Sequence, residues 1–203
     1  MNVLVIGSVG LQVNLPIEKF PLNYQSIYFM DDKVDVDLAG VGYSSLNILK
    51  KLTNDVTFLT GIGNDFFGDY ILSNLQDKGI QLYYERKDTK SLISTILYDE
   101  TGKRCILREG RKDYLYVMNP KVYEHMDYSF DYVLVTLTNF ARHLLKDIKK
   151  KDIPIVCDMQ TIDNLTNDYG KDFMEASNII FFSNDHYDQD IYQLVKSLYD
   201  KYQ

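Results

Sequence analysis

Cysteine, proline and long apolar runs are scarce in this sequence, which has two cysteines and four prolines in 203 residues. Cys105 and Cys157 both stand in apolar, strand-like runs. Two buried, reduced thiols are expected there, and a disulfide framework or cysteine-rich metal centre is excluded. No stretch approaches the ~18 consecutive apolar residues of a membrane-spanning helix. The opening MNVLVIGSVG has neither a basic leader nor a small-residue cleavage site, so a cytoplasmic location is expected. Basic runs are also missing, and the net charge is −7. Nucleic-acid binding draws its affinity from Lys and Arg set against phosphates, so a nucleic-acid partner is excluded.

Two phosphate-binding signatures are missing as well. In TGIGNDFFGDYILSNL (60–75), Gly61 and Gly63 are followed by Phe66 where a dinucleotide fingerprint places its third glycine. Gly63 and Gly68 have the first interval of a Walker loop, but Asp69 stands where the phosphate-reaching lysine belongs. A carboxylate there would repel phosphate. Asp65 is instead expected to cap the helix that follows, with Phe67, Ile71, Leu72 and Leu75 on its apolar face and Gly79 as its stop.

What is present is 45% hydrophobic residues, enough for a substantial core, in an alternating pattern. VLVIG (3–7) is a short apolar run of the kind buried on both faces of a parallel sheet. A helix from Gly42 sets Leu46, Leu49 and Leu52 at helical spacing, and DVTFLTGIG reads as the next strand. The alternation resumes with YVLVTLT (132–138), a helix carrying Ala141, Leu144, Leu145 and Ile148, then IPIVCDM (153–159) and NIIFFSN (178–184). An α/β fold with a mainly parallel sheet and helices on both faces is expected, its ligands beyond the carboxyl ends of the strands. Residues 11–38 and 91–109 break the pattern and read as antiparallel ribbons, the second turning at Glu100 to Gly102. They form either a lid over the strand ends or an extension of the main sheet at its edge. The core then comprises 1–10, 39–90 and 110–203.

These segments resemble the PfkB/ribokinase family of carbohydrate kinases. VIGSVGLQVNLPIEKFP resembles the family's first strand and the start of its lid, AGVGYSSLNILKKL its GGxxxN signature, and TGIGNDFFGDYILSNLQDKGI its GxDxFG segment. DETGKRCIL resembles the second lid hairpin, and FFSND the strand end before the NxxE motif. The resemblance implies a ribokinase-like sheet with a small β lid, a sugar or nucleoside as the small-molecule partner, and ATP and Mg²⁺ as cofactors. It implies phosphoryl transfer to a sugar hydroxymethyl group by an aspartate base within a C-terminal GAGD motif. Such chemistry rests on positioning and electrostatics, so those parts cannot be missing from an active enzyme. No GAGD occurs here. The nucleotide-binding part is expected to be absent, and the chain to be inactive alone.

The resemblance places substrate contacts at Gln12, Gly40, Gly42, Ser44 and Thr138. Gln12 stands in place of the family's sugar-gripping aspartate, Ser44 in place of the asparagine of GGxxxN, and Thr138 where ribokinases often have glutamate. Asn184 and Asp185 fall in the phosphate and magnesium vicinity, with Tyr187 replacing the glutamate of NxxE. Gly40 and Gly42, at a strand-to-helix junction, let backbone amides approach a ligand closely. The acidic cluster of Asp185, Asp188 and Asp190 with His186 is read as a solvated first helical turn rather than a metal site, and His125 and His143 as surface residues. Tyrosines flanking the ribbons, among them Tyr24, Tyr28, Tyr83, Tyr84, Tyr114 and Tyr116, are read as packing on sheet faces. An exposed aromatic lid face would support a homodimer. The other functional reading is a non-catalytic polyol-binding or interaction protein derived from such a kinase. A dinucleotide oxidoreductase is excluded by the failed fingerprint and the ribbons.

Overall fold

A computed structural model describes residues 1–31, 33–109, 113–161, 168–183 and 190–202. Its main sheet is built from β1 (Asn2–Ile6), β4 (Asp55–Gly63), β5 (Gln81–Lys87), β8 (Tyr132–Thr136), β9 (Ile155–Thr161) and β10 (Ile179–Ser183). The strands run in the order β10-β9-β8-β1-β4-β5, and every neighbouring pair is parallel. Parallel pairing demands crossovers, and helices supply four of them: α1 (Val41–Leu52), α2 (Phe66–Gln76), α3 (Asn139–Lys150) and α4 (Lys171–Ala176). A fifth helix, α5 (Ile191–Tyr202), follows the last strand.

The alternation of side chains along each strand divides the core in two. Val3 and Val5 of β1, with Val56 and Phe58 of β4, face Leu46 of α1 and Ile71 and Leu75 of α2. Leu4 and Ile6 face the opposite way, joining Val133, Val135 and Cys157 beneath Leu144, Leu145 and Ile148 of α3, Phe173 of α4 and Leu194 of α5. Burial on both faces is why these strands read as unbroken apolar runs. It also pushes the Cys157 thiol up to about 12, so this sulfur is an inert core atom.

The ribbons form a second sheet and do not extend the first. β2 (Gly10–Pro16) pairs antiparallel with β3 (Asp35–Ala39), and β6 (Ile93–Tyr98) antiparallel with β7 (Arg104–Glu109). β2 and β6 lie parallel to each other, giving the order β3-β2-β6-β7. At the β6–β7 turn Gly102 takes φ +83°, while Asp99 Oδ1 accepts hydrogen bonds from Thr101 Oγ1 at 2.6 Å and from the amides of Thr101 and Lys103. Within 11–38 the paired strands occupy only the two ends, since among the described residues no strand occurs between Pro16 and Asp35.

Three side chains lie elsewhere than their spacing suggests. Leu52 is 71% exposed, because steps of three residues drift about 60° per step around a helix and carry it off the face of Leu46. Phe67 is exposed at the rim of the row formed by Gly68, Ile71 and Leu75. Cys105 is exposed on β7, an edge strand with every residue open to solvent. Two elements went unread: β5, which mixes tyrosines and charges at the sheet edge, and the short α4. Among the described residues no helix is long and apolar enough to cross a membrane.

Candidate functional site between the sheet and the lid

The carboxyl ends of the strands open beneath the second sheet, and the junction from β3 into α1 sets one wall of the space. Gly40 caps α1 with φ +112°, a backbone conformation that favours glycine, and a Cβ there would lie 2.7 Å from the Ser8 carbonyl oxygen. Having no side chain, this cap makes no side-chain hydrogen bond to the first turn of α1, where the Tyr43 amide donates to the Ser8 carbonyl at 3.2 Å. Gly42 does not line the space. It is pressed against Gly7, where a Cβ would meet the Gly7 carbonyl carbon at 2.6 Å. Its role is to let α1 dock on the end of β1.

Gln12, Gly40 and Ser44 line a cavity of about 480 Å³ together with Ser94, Asp158 and Gln160. Gln12 lies on β2 opposite Asp37 and beside Ser94 of β6. Its Nε2 donates to Asn14 Oδ1 at 2.6 Å, and Asn14 Nδ2 in turn donates to Asp35 Oδ2 at 3.2 Å. This chain orients the Gln12 amide. Gln160 takes φ +58° where β9 ends, with its backbone N–H donating to Asp158 Oδ1 at 2.8 Å.

Thr138 borders an adjoining cavity of about 520 Å³, whose wall includes Lys87, Asp113, Tyr114, Tyr116 and Tyr169. The two cavities share Ser8, Leu92, Arg108 and Gln160. Lys87 reaches this space from the end of β5 with 4% of its side chain exposed, and its Nζ pairs with Asp113 Oδ1 at 2.9 Å. Tyr116 donates its hydroxyl hydrogen to Glu85, and burial, reinforced by that carboxylate, pushes the phenol well above its ordinary range. Arg142 of α3 bonds Asp172 and the Tyr169 carbonyl while its guanidinium lies over the Tyr169 ring. Tyr169 is thereby fixed against the cavity.

The expected contacts are therefore divided: Gln12, Gly40 and Ser44 on one cavity, Thr138 on the other, Gly42 behind the wall. Asn184 and Asp185 lie outside the described residues, as do His186, Tyr187 and Asp188. Ser8, Lys87, Arg108, Asp113 and Gln160 were not singled out from sequence; of these, Lys87 and Gln160 stand at strand ends, where the α/β pattern directs attention. His125 and His143 are exposed as expected.

The turn from Gly63 to Gly68 is solid and offers phosphate no cradle. A Cβ on Gly68 would lie 1.9 Å from the Gly63 oxygen, and both Asp65 carboxylate oxygens are engaged by Gly68 and Ser91. Among the described residues no group of three His, Cys, Asp or Glu side chains is placed to hold a metal ion.

Residues 1–122, more than half of the chain, match the family described as pfkB family carbohydrate kinase. The chain belongs to this family. Solved structures similar to this PfkB chain include a microbiome-derived acarbose kinase (TM-score 0.85, 22% identity), which covers 98% of this chain and is itself covered over 66%. Ribokinase from Giardia lamblia matches with TM-score 0.78 and 16% identity over 98% of this chain and 64% of its own. A nucleoside kinase from Methanocaldococcus jannaschii matches with TM-score 0.68 and 16% identity, again over 98% and 64%. At such identities the likeness concerns the fold, and the PfkB chain spans about two thirds of the length of these structures. No curated protein matches.

Proposed function

We propose that this chain is the substrate-binding part of a PfkB-type kinase that phosphorylates a hydroxymethyl group of a sugar or nucleoside, with ATP and Mg²⁺ handled by a nucleotide-binding part beyond these residues. The observation that carries this reading is the polar cavity beneath the lid. Gln12, Ser44, Ser94 and Gln160 surround it with amide and hydroxyl groups that both donate and accept, the chemistry that polyols require. Such groups fix orientation, while the lid sheet excludes water around the bound ring.

The base of the reaction is assigned to the unseen part, because no GAGD sequence occurs in these residues. Alone, the chain binds its sugar without transferring phosphate. Calorimetric titration of purified residues 1–203 with a panel of sugars and nucleosides tests this, alongside an ADP-release assay. Binding without ADP release is expected; robust phosphorylation by this chain alone, or no binding to any member of the panel, overturns the proposal.

A second reading, a non-catalytic polyol binder, is favoured by one observation: an uncharged Gln12 at the position that carries the family's aspartate. Under this reading the full-length native product ends near residue 203, which intact-protein mass spectrometry decides. The lid is also proposed as a homodimer surface. Ile106 and Leu107 are exposed on β7, whose outer edge pairs with no strand among the described residues. Sedimentation of the purified chain tests it, a dimer being expected.

A further inference from the structure

The cavity beneath the lid has two unlike compartments, and only one of them is needed to hold a single sugar ring. Each, at about 480 and 520 Å³, already has the size of a whole small-molecule site, for which about 300–1,000 Å³ is usual. They adjoin, with Ser8, Leu92, Arg108 and Gln160 lining both.

The second compartment is built with care. Gly61 of β4 makes its wall possible, since a Cβ there would strike the Tyr116 ring at 2.7 Å and the Lys87 Cδ at 3.0 Å. Into that room pack the lysine stem and the tyrosine ring, with Lys87 Nζ 5.5 Å from the ring centroid. Tyr116 is braced by Phe140, their centroids 5.6 Å apart. Glu85 Oε2 accepts from both the Tyr116 hydroxyl and the Asn119 amide.

The Lys87–Asp113 pair is one of the polar features of this compartment, beside Arg108 in its lining. A buried lysine without a partner would attract an anion, but the carboxylate 2.9 Å away cancels its charge. What the pair still offers is the remaining ammonium protons beside the free lone pairs of the carboxylate, a donor next to an acceptor. That combination matches vicinal hydroxyls, and Tyr114 offers an aromatic platform for the apolar side of a pyranose ring.

We propose that this tyrosine-lined compartment is a second subsite, taking the second ring of a glycosidically linked sugar whose first ring occupies the polar compartment. The proposal rests on the reading of the polar compartment as a sugar site. It makes Lys87, Asp113 and Tyr114 specificity-determining residues, selecting a two-ring saccharide over its single-ring component.

The test is calorimetric titration of the purified chain with glucose, fructose, ribose and methyl glucoside, then with maltose, trehalose, sucrose and cellobiose, then with adenosine and inosine. At least one two-ring sugar is expected to bind tenfold or more tightly than its single-ring component. Lys87→Met and Tyr114→Ala are each expected to bring that ratio to within about threefold of one. Tyr114 is 60% exposed, so its variant folds even where the loss of Lys87 perturbs the core. Binding of single rings with no gain for any two-ring sugar overturns the subsite while leaving the sugar-site reading intact. A gain confined to the nucleosides also overturns it, as does a two-ring gain that survives both substitutions. Failure of every ligand to bind removes the subsite and the sugar-site reading together.

Discussion

Asp65 and Ser91 tie the turn after β4 to the root of the second ribbon. Asp65 Oδ2 accepts from the Ser91 amide at 2.9 Å, and Oδ1 accepts from Ser91 Oγ at 2.6 Å and from the Gly68 amide at 2.8 Å. One carboxylate therefore caps α2 and anchors the strand that enters the lid.

Asp65→Ala removes both functions. Loss of the cap costs about 1 kcal/mol, and leaving the buried Ser91 amide without a partner costs about 1–3 kcal/mol more. A fall of roughly 2–4 kcal/mol in unfolding free energy is expected by urea titration. A change below about 0.5 kcal/mol would show that the anchor contributes nothing.

The same carboxylate sets an acid dependence. Burial alone pushes Asp65 up, but hydrogen bonds from Ser91 and Gly68 and the charge of Arg86 outweigh it and hold the group below its usual 3.8. A carboxyl depressed in the folded state contributes stability that is fully present above its unfolded pKa and lost as pH falls through the folded value. The urea midpoint is expected to hold above about pH 4 and to drop below it. Asp65→Asn should flatten that drop, and an unchanged acid profile would assign it to other carboxyls.

Gly40→Ala places a Cβ at φ +112° and 2.7 Å from the Ser8 carbonyl oxygen. Strain of about 1–3 kcal/mol follows, together with displacement of the start of α1. Sugar affinity is expected to fall more than tenfold while far-ultraviolet circular dichroism keeps its native shape. Native affinity in this variant would detach the α1 start from binding.

Gln12 is the residue where charge, not shape, separates this chain from the family pattern. Gln12→Ala should weaken sugar binding about 2–10-fold, the worth of one neutral hydrogen bond. Gln12→Asp should strengthen it by a similar factor, because charge-assisted bonds to hydroxyls are stronger. Calorimetry on the two variants decides, and an affinity unmoved by either excludes Gln12 from the site.

The two thiols should separate cleanly. Cys105 is exposed on β7, while Cys157 is buried and its thiol is pushed up to about 12. One equivalent of iodoacetamide label is expected on the native chain, on Cys105, and two in denaturant, read by peptide mass spectrometry. Label on native Cys157 would mean that β9 opens to solvent.

How much could be read from sequence depended on where each signal is stored. β1, β4, β8 and β9 declare themselves because a buried parallel strand is apolar on both faces over consecutive residues, and β10 is as apolar although it forms one sheet edge with Ile179 and Phe181 exposed. β5 does not, since QLYYERK lies at the sheet edge and mixes tyrosine with charge. Gln12, Gly40 and Ser44 were reached through short motifs that stay together in the chain. Lys87 was invisible for the opposite reason. Its burial depends on Asp113, 26 residues away, and no local pattern marks a lysine for the interior.

The parallel pairing of β2 with β6 gives the lid its mechanics. The first ribbon leaves the core after β1 and the second after β5, yet six residue pairs from Leu11–Ile93 to Pro16–Tyr98 weld them into one plate. Two stems support that plate, and they too are joined, with the Leu11 amide donating to the Leu92 carbonyl at 2.8 Å. Neither ribbon can swing without carrying the other. Gln12 on β2 and Arg108 on β7, two strands apart, therefore belong to one piece, and the roof over both compartments is a single board.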